Sequence, residues 1–238
     1  MKYSITLAAL TFGCMGMSQA FFDDFNRPDG ALGSNYTTVL GNTGIVNNAA
    51  TGLTSGTGLT LLNASAFSAN YADMILKADL SVLDQSATLT YQALHIGTNG
   101  LTAADNGIFV KIQRQIAGGY SHIGIYTGTS TNSANATTSG GNFQAFASQF
   151  NSARLTVMFT NATTMYTGID TNFDSIDDLT FTTTVSGSVV FGNQAGIHSW
   201  GNTGQLDNFS ATAVPEPATM TVLGIGALAA FARRRRKA

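Results

Sequence analysis

Apolar residues along much of the chain recur at every second position, in short runs separated by Gly, Asn and Ser. Met74, Leu76, Ala78, Leu80 and Val82 alternate with Lys77, Asp79 and Ser81. Successive side chains of a strand point to opposite faces, so this run predicts a strand with one dry face and one wet face. The same alternation predicts strands at Ile108–Gln113, Tyr120–Thr127 and Ala153–Thr160. Further runs near 88–96, 163–169, 179–185, 188–192, 195–200 and 206–212 read alike. No internal window has a helical period; Phe143–Phe150 predicts a short turn, and Gly128–Asn142 a polar loop of small residues. Many short strands at this spacing predict an all-β fold, an antiparallel β-sandwich. The 32 threonines and 26 glycines fit it, since Thr favours strands and Gly permits turns.

The two ends depart from this pattern. Lys2, the apolar run Ile5–Met17 and the small residues Ser18-Gln19-Ala20 have the order of a signal peptide. Signal peptidase is expected to cut between Ala20 and Phe21, removing residues 1–20. Cys14, the single cysteine, leaves with that segment, so the body 21–213 must hold together without disulfides. At the other end Ala218–Ala232 is an uncharged apolar stretch, shorter than the roughly 20 residues of an ordinary membrane span. Arg233, Arg234, Arg235, Arg236 and Lys237 follow it and would keep the distal end on the cytoplasmic side. Pro215 and Pro217 prevent a helix from extending backwards past Glu216. Residues 214–238 therefore predict an accessible linker, a short transmembrane helix over 218–232 and a basic stop at 233–237.

Charge narrows the function. Between 21 and 214 the chain carries five Lys and Arg against 12 Asp, a formal charge of −7. Such a body repels phosphate backbones and holds no basic patch, which argues against nucleic acid as a partner.

Pro215-Glu216-Pro217, the apolar helix and the arginine cluster together resemble the PEP-CTERM sorting domain of Gram-negative bacteria. The resemblance implies recognition of Pro215, Glu216, Pro217 and Arg233 to Arg236 by an exosortase-type processing enzyme. It also implies transient residence in the inner membrane, then delivery to the cell surface or extracellular matrix, in association with exopolysaccharide and biofilm. A second resemblance covers the ends of the body. Phe22-Asp23-Asp24-Phe25-Asn26-Arg27-Pro28-Asp29-Gly30 and Leu206-Asp207-Asn208-Phe209-Ser210 are similar to the opening and closing strands of concanavalin A-like lectin/glucanase (laminin G-like) jelly rolls. That likeness implies one domain, in which the first and last strands pair.

Candidate chemistry is sparse. Asp170, Asn172, Asp174, Asp177 and Asp178 crowd one short loop, and oxygen side chains at alternate positions can converge on Ca²⁺. Ser175 and Phe181 replace the glycine and bidentate glutamate of an EF-hand, so the loop is either a looser calcium site or an acidic hairpin turn. Glycoside hydrolysis needs two carboxyl groups. The glucanases that the body resembles use glutamates, and the body has none. The aspartates of Asp23-Asp24 and of Asp177-Asp178 are adjacent, so each pair points to opposite faces of a strand. His95, His122 and His198 lack a zinc-site spacing and read as separate strand residues satisfied by their neighbours. Trp200 shares a strand face with His198 and is either a core aromatic or a platform for a sugar ring. These readings converge on a non-enzymatic surface or matrix protein, structural or polysaccharide-binding, with calcium its one candidate cofactor. The alternative is a glycan-acting hydrolase of the same fold.

Overall fold

The computed structural model describes residues 19–85, 90–99, 106–128, 137–139 and 143–214. The expected signal helix and transmembrane helix lie outside them. Among the described residues no helix is long and apolar enough to cross a membrane.

The chain forms β1 (Ala20–Asp23), β2 (Gly30–Ala31), β3 (Tyr36–Leu40), β4 (Thr43–Val46), β5 (Ala49–Gly52) and β6 (Thr57–Leu62). A 3₁₀ turn, Tyr71–Asp73, capped by the Asn70 side chain, leads into β7 (Met74–Ser81). There follow β8 (Tyr91–Thr98), β9 (Ile108–Gln115), β10 (Tyr120–Thr127), β11 (Thr137–Ser139) and β12 (Phe143–Phe146). The last five are β13 (Ser152–Phe159), β14 (Thr164–Asp170), β15 (Leu179–Val185), β16 (Gln194–Trp200) and β17 (Leu206–Ala213). One sheet, here sheet A, runs β11-β15-β14-β13-β7-β17-β5-β4-β2, with β1 also on β17. Sheet B runs β12-β10-β9-β8-β16-β6-β3. The paired strands are antiparallel throughout, as a sandwich requires.

The core lies between the sheets. Sheet A contributes Met74, Leu76, Ala78, Leu80, Leu155, Val157, Ile169 and Phe209, and sheet B Leu94, Ile96, Val110, Ile112, Ile123, Ile125 and Ile197. The alternation of β7 is therefore realised as predicted, with its even-numbered residues inside and Lys77 exposed. Truncating a residue such as Leu76, which is fully buried, to alanine costs roughly 2–5 kcal/mol in cores of this kind.

The first and last strands pair as the jelly-roll likeness implies: Ala20 opposes Thr212, Phe22 opposes Ser210 and Asp23 opposes Phe209. The opening motif has a physical job. Asp23 accepts two bonds from Arg27 (2.6 and 2.9 Å), one from the Tyr36 hydroxyl (2.9 Å) and one from the Phe25 N–H (2.8 Å). Burial alone would raise the Asp23 carboxyl, but these four bonds outweigh it and hold the group below the usual carboxylate range. Arg27 goes on to the Leu32 carbonyl, 2.6 Å away, so one carboxylate fixes the return of the chain after β1.

Two expected elements come out differently. Phe143–Phe146 is a strand, not a turn, because Phe143 pairs with Gly124 and its ring packs 4.6 Å from that of His122. The run 188–192 is not a strand but a turn with one isolated bridge, Val190 to Asn106; Val189 is buried there. Within the expected polar loop, Thr137–Ser139 adds a short strand to β15.

Candidate functional site

The outward face of sheet A carries an open cleft of about 370 Å³. Its floor is Thr156 on β13, Lys77 on β7 and Ser210 on β17, part of a cross-strand row that begins at Gly168 on β14 and ends at Phe22 on β1, each the register partner of the next. Strand alternation sets which way each points. On β1, Phe21 turns inward against Tyr36 and Phe209, with ring centroids 5.8 and 6.3 Å away. Phe22 therefore turns outward and is 62% exposed, forming one wall of the cleft. Beside the floor runs a second row, Asp170, Arg154, Asp79 and Asp207. Arg154 grips Asp79 with Nε (2.7 Å) and Nη2 (3.0 Å), and the Asn208 amide donates to the same carboxylate at 2.9 Å. Asn208 reaches it from a bulge in β17, where its φ is 49°.

The opposite wall is the acidic loop between β14 and β15. Asp170 is 1% exposed and organises the loop from beneath. Its Oδ1 accepts from the N–H groups of Asn172 and Phe173, and its Oδ2 from that of Ser175. Those bonds hold Phe173 and Ser175 at φ 62° and 73°, a left-handed geometry that non-glycine residues adopt only when fixed from outside. Asp178 accepts from the Thr171 hydroxyl and N–H and from the Asn172 amide, which keeps its carboxyl low. Asp174 caps the Ile176 N–H, and Asn172 caps that of Asp174. Asp177 lies over Gly168: a Cβ at that glycine would fall 2.0 Å from Asp177 Oδ2. The same oxygen accepts the Tyr166 hydroxyl at 2.7 Å, and burial together with this bond pushes Tyr166 up to about 12. The five residues singled out as a possible calcium loop are thus brought together, each with at least one oxygen engaged by a loop donor or, for Asp177, by the Tyr166 hydroxyl on β14. Among the described residues no three His, Cys, Asp or Glu side chains converge as an ion site.

Sheet A holds one further carboxylate pair. Asp79 and Asp207 are register partners beside a neighbouring cavity of about 300 Å³ lined also by Asn47, Asn48 and Gln205. Burial, with the charges of Asp79, Asp24 and Asp23, pushes Asp207 up. Asp79 has both oxygens bound by Arg154 and Asn208.

Trp200 and His198 lie on the outward face of sheet B, together as predicted, but in different environments. Trp200, at the end of β16, is 37% exposed, whereas His198 is fully buried with its ring stacked 3.9 Å from Phe109. Tyr91 stacks on both, and Tyr126 on Phe109. Lys111 lies 4.5 Å from the Tyr91 ring and 5.5 Å from the Tyr126 ring and donates to Gln113 Oε1; burial lowers its ammonium to about 8. The three histidines, expected as strand residues, lie on β8, β10 and β16. His95, His122 and His198 share this face, and His95 sits 6.0 Å from His198. They are distant in sequence because the sheet assembles them from three strands.

No curated protein matches the chain by sequence. The PEP-CTERM protein-sorting motif matches residues 213–237. Solved structures share the architecture of the body at low identity. The CBM2 module of the Lactobacillus casei BL23 phage J-1 evolved Dit is 11% identical, covers 83% of this chain and 97% of its own, and superposes with a TM-score of 0.52. Lectin II from Ulex europaeus is 12% identical over 81% of this chain and 96% of its own, also with a TM-score of 0.52. The VIP36 exoplasmic/lumenal domain in its Ca²⁺/Man-bound form is 10% identical over 82% and 88%, at 0.51. The chain thus ends in a PEP-CTERM protein-sorting motif and carries ahead of it a two-sheet β-sandwich with the fold of these lectin-like structures.

Proposed function

We propose that this is an exported saccharide-binding protein without catalytic activity, and that the sheet A cleft is its binding site. The supporting observation is the cleft itself: an exposed aromatic wall, Phe22, beside a floor of hydroxyl, amide and charged groups. An apolar ring face with a few converging polar groups suits a sugar, which offers one face of C–H bonds and a rim of hydroxyls. Trp200, exposed at the end of β16 on the other sheet, is a second stacking platform. In this reading signal peptidase cuts between Ala20 and Phe21. An exosortase-type enzyme then recognises Pro215, Glu216, Pro217 and Arg233 to Arg236 while residues 218–232 hold the chain in the inner membrane. The product joins the surface or exopolysaccharide matrix of a Gram-negative bacterium. Calcium is secondary here: it would compete with backbone donors for Asp170, Asp174 and Asp178, and with the Tyr166 hydroxyl for Asp177.

Hydrolysis is the second reading, favoured by one observation, the raised carboxyl of Asp207 next to Asp79. Binding is preferred because a retaining or inverting pair needs a free base or nucleophile. Asp79 is clamped by Arg154, and Asp170 accepts three backbone bonds. The test is a glycan array and calorimetric titration of residues 21–214, which hold the whole core. Saccharide binding that Phe22→Ala abolishes supports the proposal. An unaffected Phe22→Ala protein, or release of new reducing ends from a bound polysaccharide, overturns it.

A further inference from the structure

We infer that the sheet A cleft takes an acidic saccharide, one bearing a carboxylate, with Lys77 as the group that receives the charge; this rests on the saccharide-binding reading above. Most charges in the cleft are already satisfied. Arg154 is neutralised by its two bonds to Asp79. Asp170, 1% exposed, has both oxygens committed to backbone N–H groups. Asp177 accepts the Tyr166 hydroxyl. Lys77 is different: it is exposed at the centre of the floor and, among the described residues, makes no ion pair.

Its neighbours define what the ammonium would meet. In register on either side stand Thr156 and Ser210, so Lys77 is flanked by hydroxyls with no carboxylate beside it in the row. Phe22 follows next to Ser210. On the other side Asp177 overlies Gly168, two strands from Lys77, or roughly 10 Å at the usual strand spacing. The cleft is therefore polarised, with a free cation at the aromatic end and a carboxylate under the loop. A uronic acid complements both ends, placing its carboxylate on Lys77 and ring hydroxyls toward Asp177. The formal charge of −7 on the body does not oppose this, because at physiological ionic strength charges farther than about 8 Å are largely screened. What the ligand experiences is the local ammonium.

The experiment titrates residues 21–214 with oligomers of galacturonate, glucuronate and mannuronate, each beside its carboxyl-reduced counterpart of the same linkage. At least one acid oligomer should bind roughly tenfold tighter than its reduced partner, the difference a hydrogen bond to a charged group makes. Lys77→Gln should bring the two together while leaving thermal unfolding unchanged. Equal binding of acid and reduced forms overturns the inference but leaves saccharide binding intact. A preference that persists in Lys77→Gln overturns the role of Lys77. Silence across the acid series overturns the inference, and binding to neutral oligomers then decides the broader reading separately.

Discussion

Mild acid should destabilise the body through His95. The ring is fully buried, with Nε2 3.1 Å from the Asn106 carbonyl oxygen, so the neutral tautomer donates there. Among the described residues its Nδ1 has no hydrogen-bond partner. A second proton would have to sit on that nitrogen, unsolvated and without an acceptor, which is why burial lowers the group to about 4 from an ordinary 6.5. The unfolded chain then binds more protons than the folded one at any pH below about 6.5. Stability present above 6.5 is therefore lost as the pH falls toward 4, at up to about 1.4 kcal/mol per pH unit. At pH 5 the loss attributable to His95 is about 2 kcal/mol. His122, also lowered to about 4 by burial and by the charge of Lys111, adds to the loss in the same direction. The assay is urea unfolding of residues 21–214 at pH 7 and pH 5, a window above most carboxylate titration. His95→Gln should lose about 2 kcal/mol less than wild type between the two, whatever its stability at pH 7. An identical pH difference in both proteins would refute the account.

Other outcomes follow from the cleft. Gly168→Val should drive Asp177 off its seat and break the Tyr166 bond, lowering the unfolding midpoint and weakening saccharide binding together; a melting curve and a titration check both. Asp170→Ala removes the acceptor of three backbone N–H groups in a buried position and should cost about 2–4 kcal/mol, read as a fall of roughly 5–15 °C in midpoint. Phe22→Ala should change stability by no more than about 0.5 kcal/mol, since the ring is 62% exposed, while removing saccharide binding. Millimolar calcium should raise the midpoint by no more than a degree or so, because the loop's own donors occupy Asp170 and Asp178; a larger rise would mean that the loop reorganises around the ion.

The elements that could be read from sequence are those with one wet face. In β7 of sheet A burial alternates and so does composition; in β13 composition alternates, and burial does so except at Thr156. All eight residues of β8 are buried, so polarity there no longer reports on direction. Strands β3 to β6 went unread because they are short and Gly, Thr and Ala interrupt their apolar residues; at Gly58 a Cβ would lie 2.4 Å from Ser199 Oγ. The acidic loop announced itself by local composition. The rest of the cleft did not, because Phe22, Lys77, Thr156 and Ser210 become neighbours only through the register of four strands. Phe22 fell within the opening motif, and strand alternation after the inward Phe21 was the signal that could have marked it as outward-facing.

The pairing of first and last strands also determines how the protein would bear force. Ser210, in the cleft floor, stands four residues before Val214, and Phe22 is its partner on β1. If the molecule is held by its C-terminal segment while a polymer pulls on the cleft, tension enters through β1, β7 and β17 and leaves within half a strand's length. Sheet B lies off that path. The register of β17 with β7, from Leu206 to Ala213, would then be the clutch that slips first, and a bulge at Asp207 and Asn208 marks where sliding would begin. Lateral load on the rest of the sandwich would stay small, so its stability could drift in evolution with little effect on the strength of the tether.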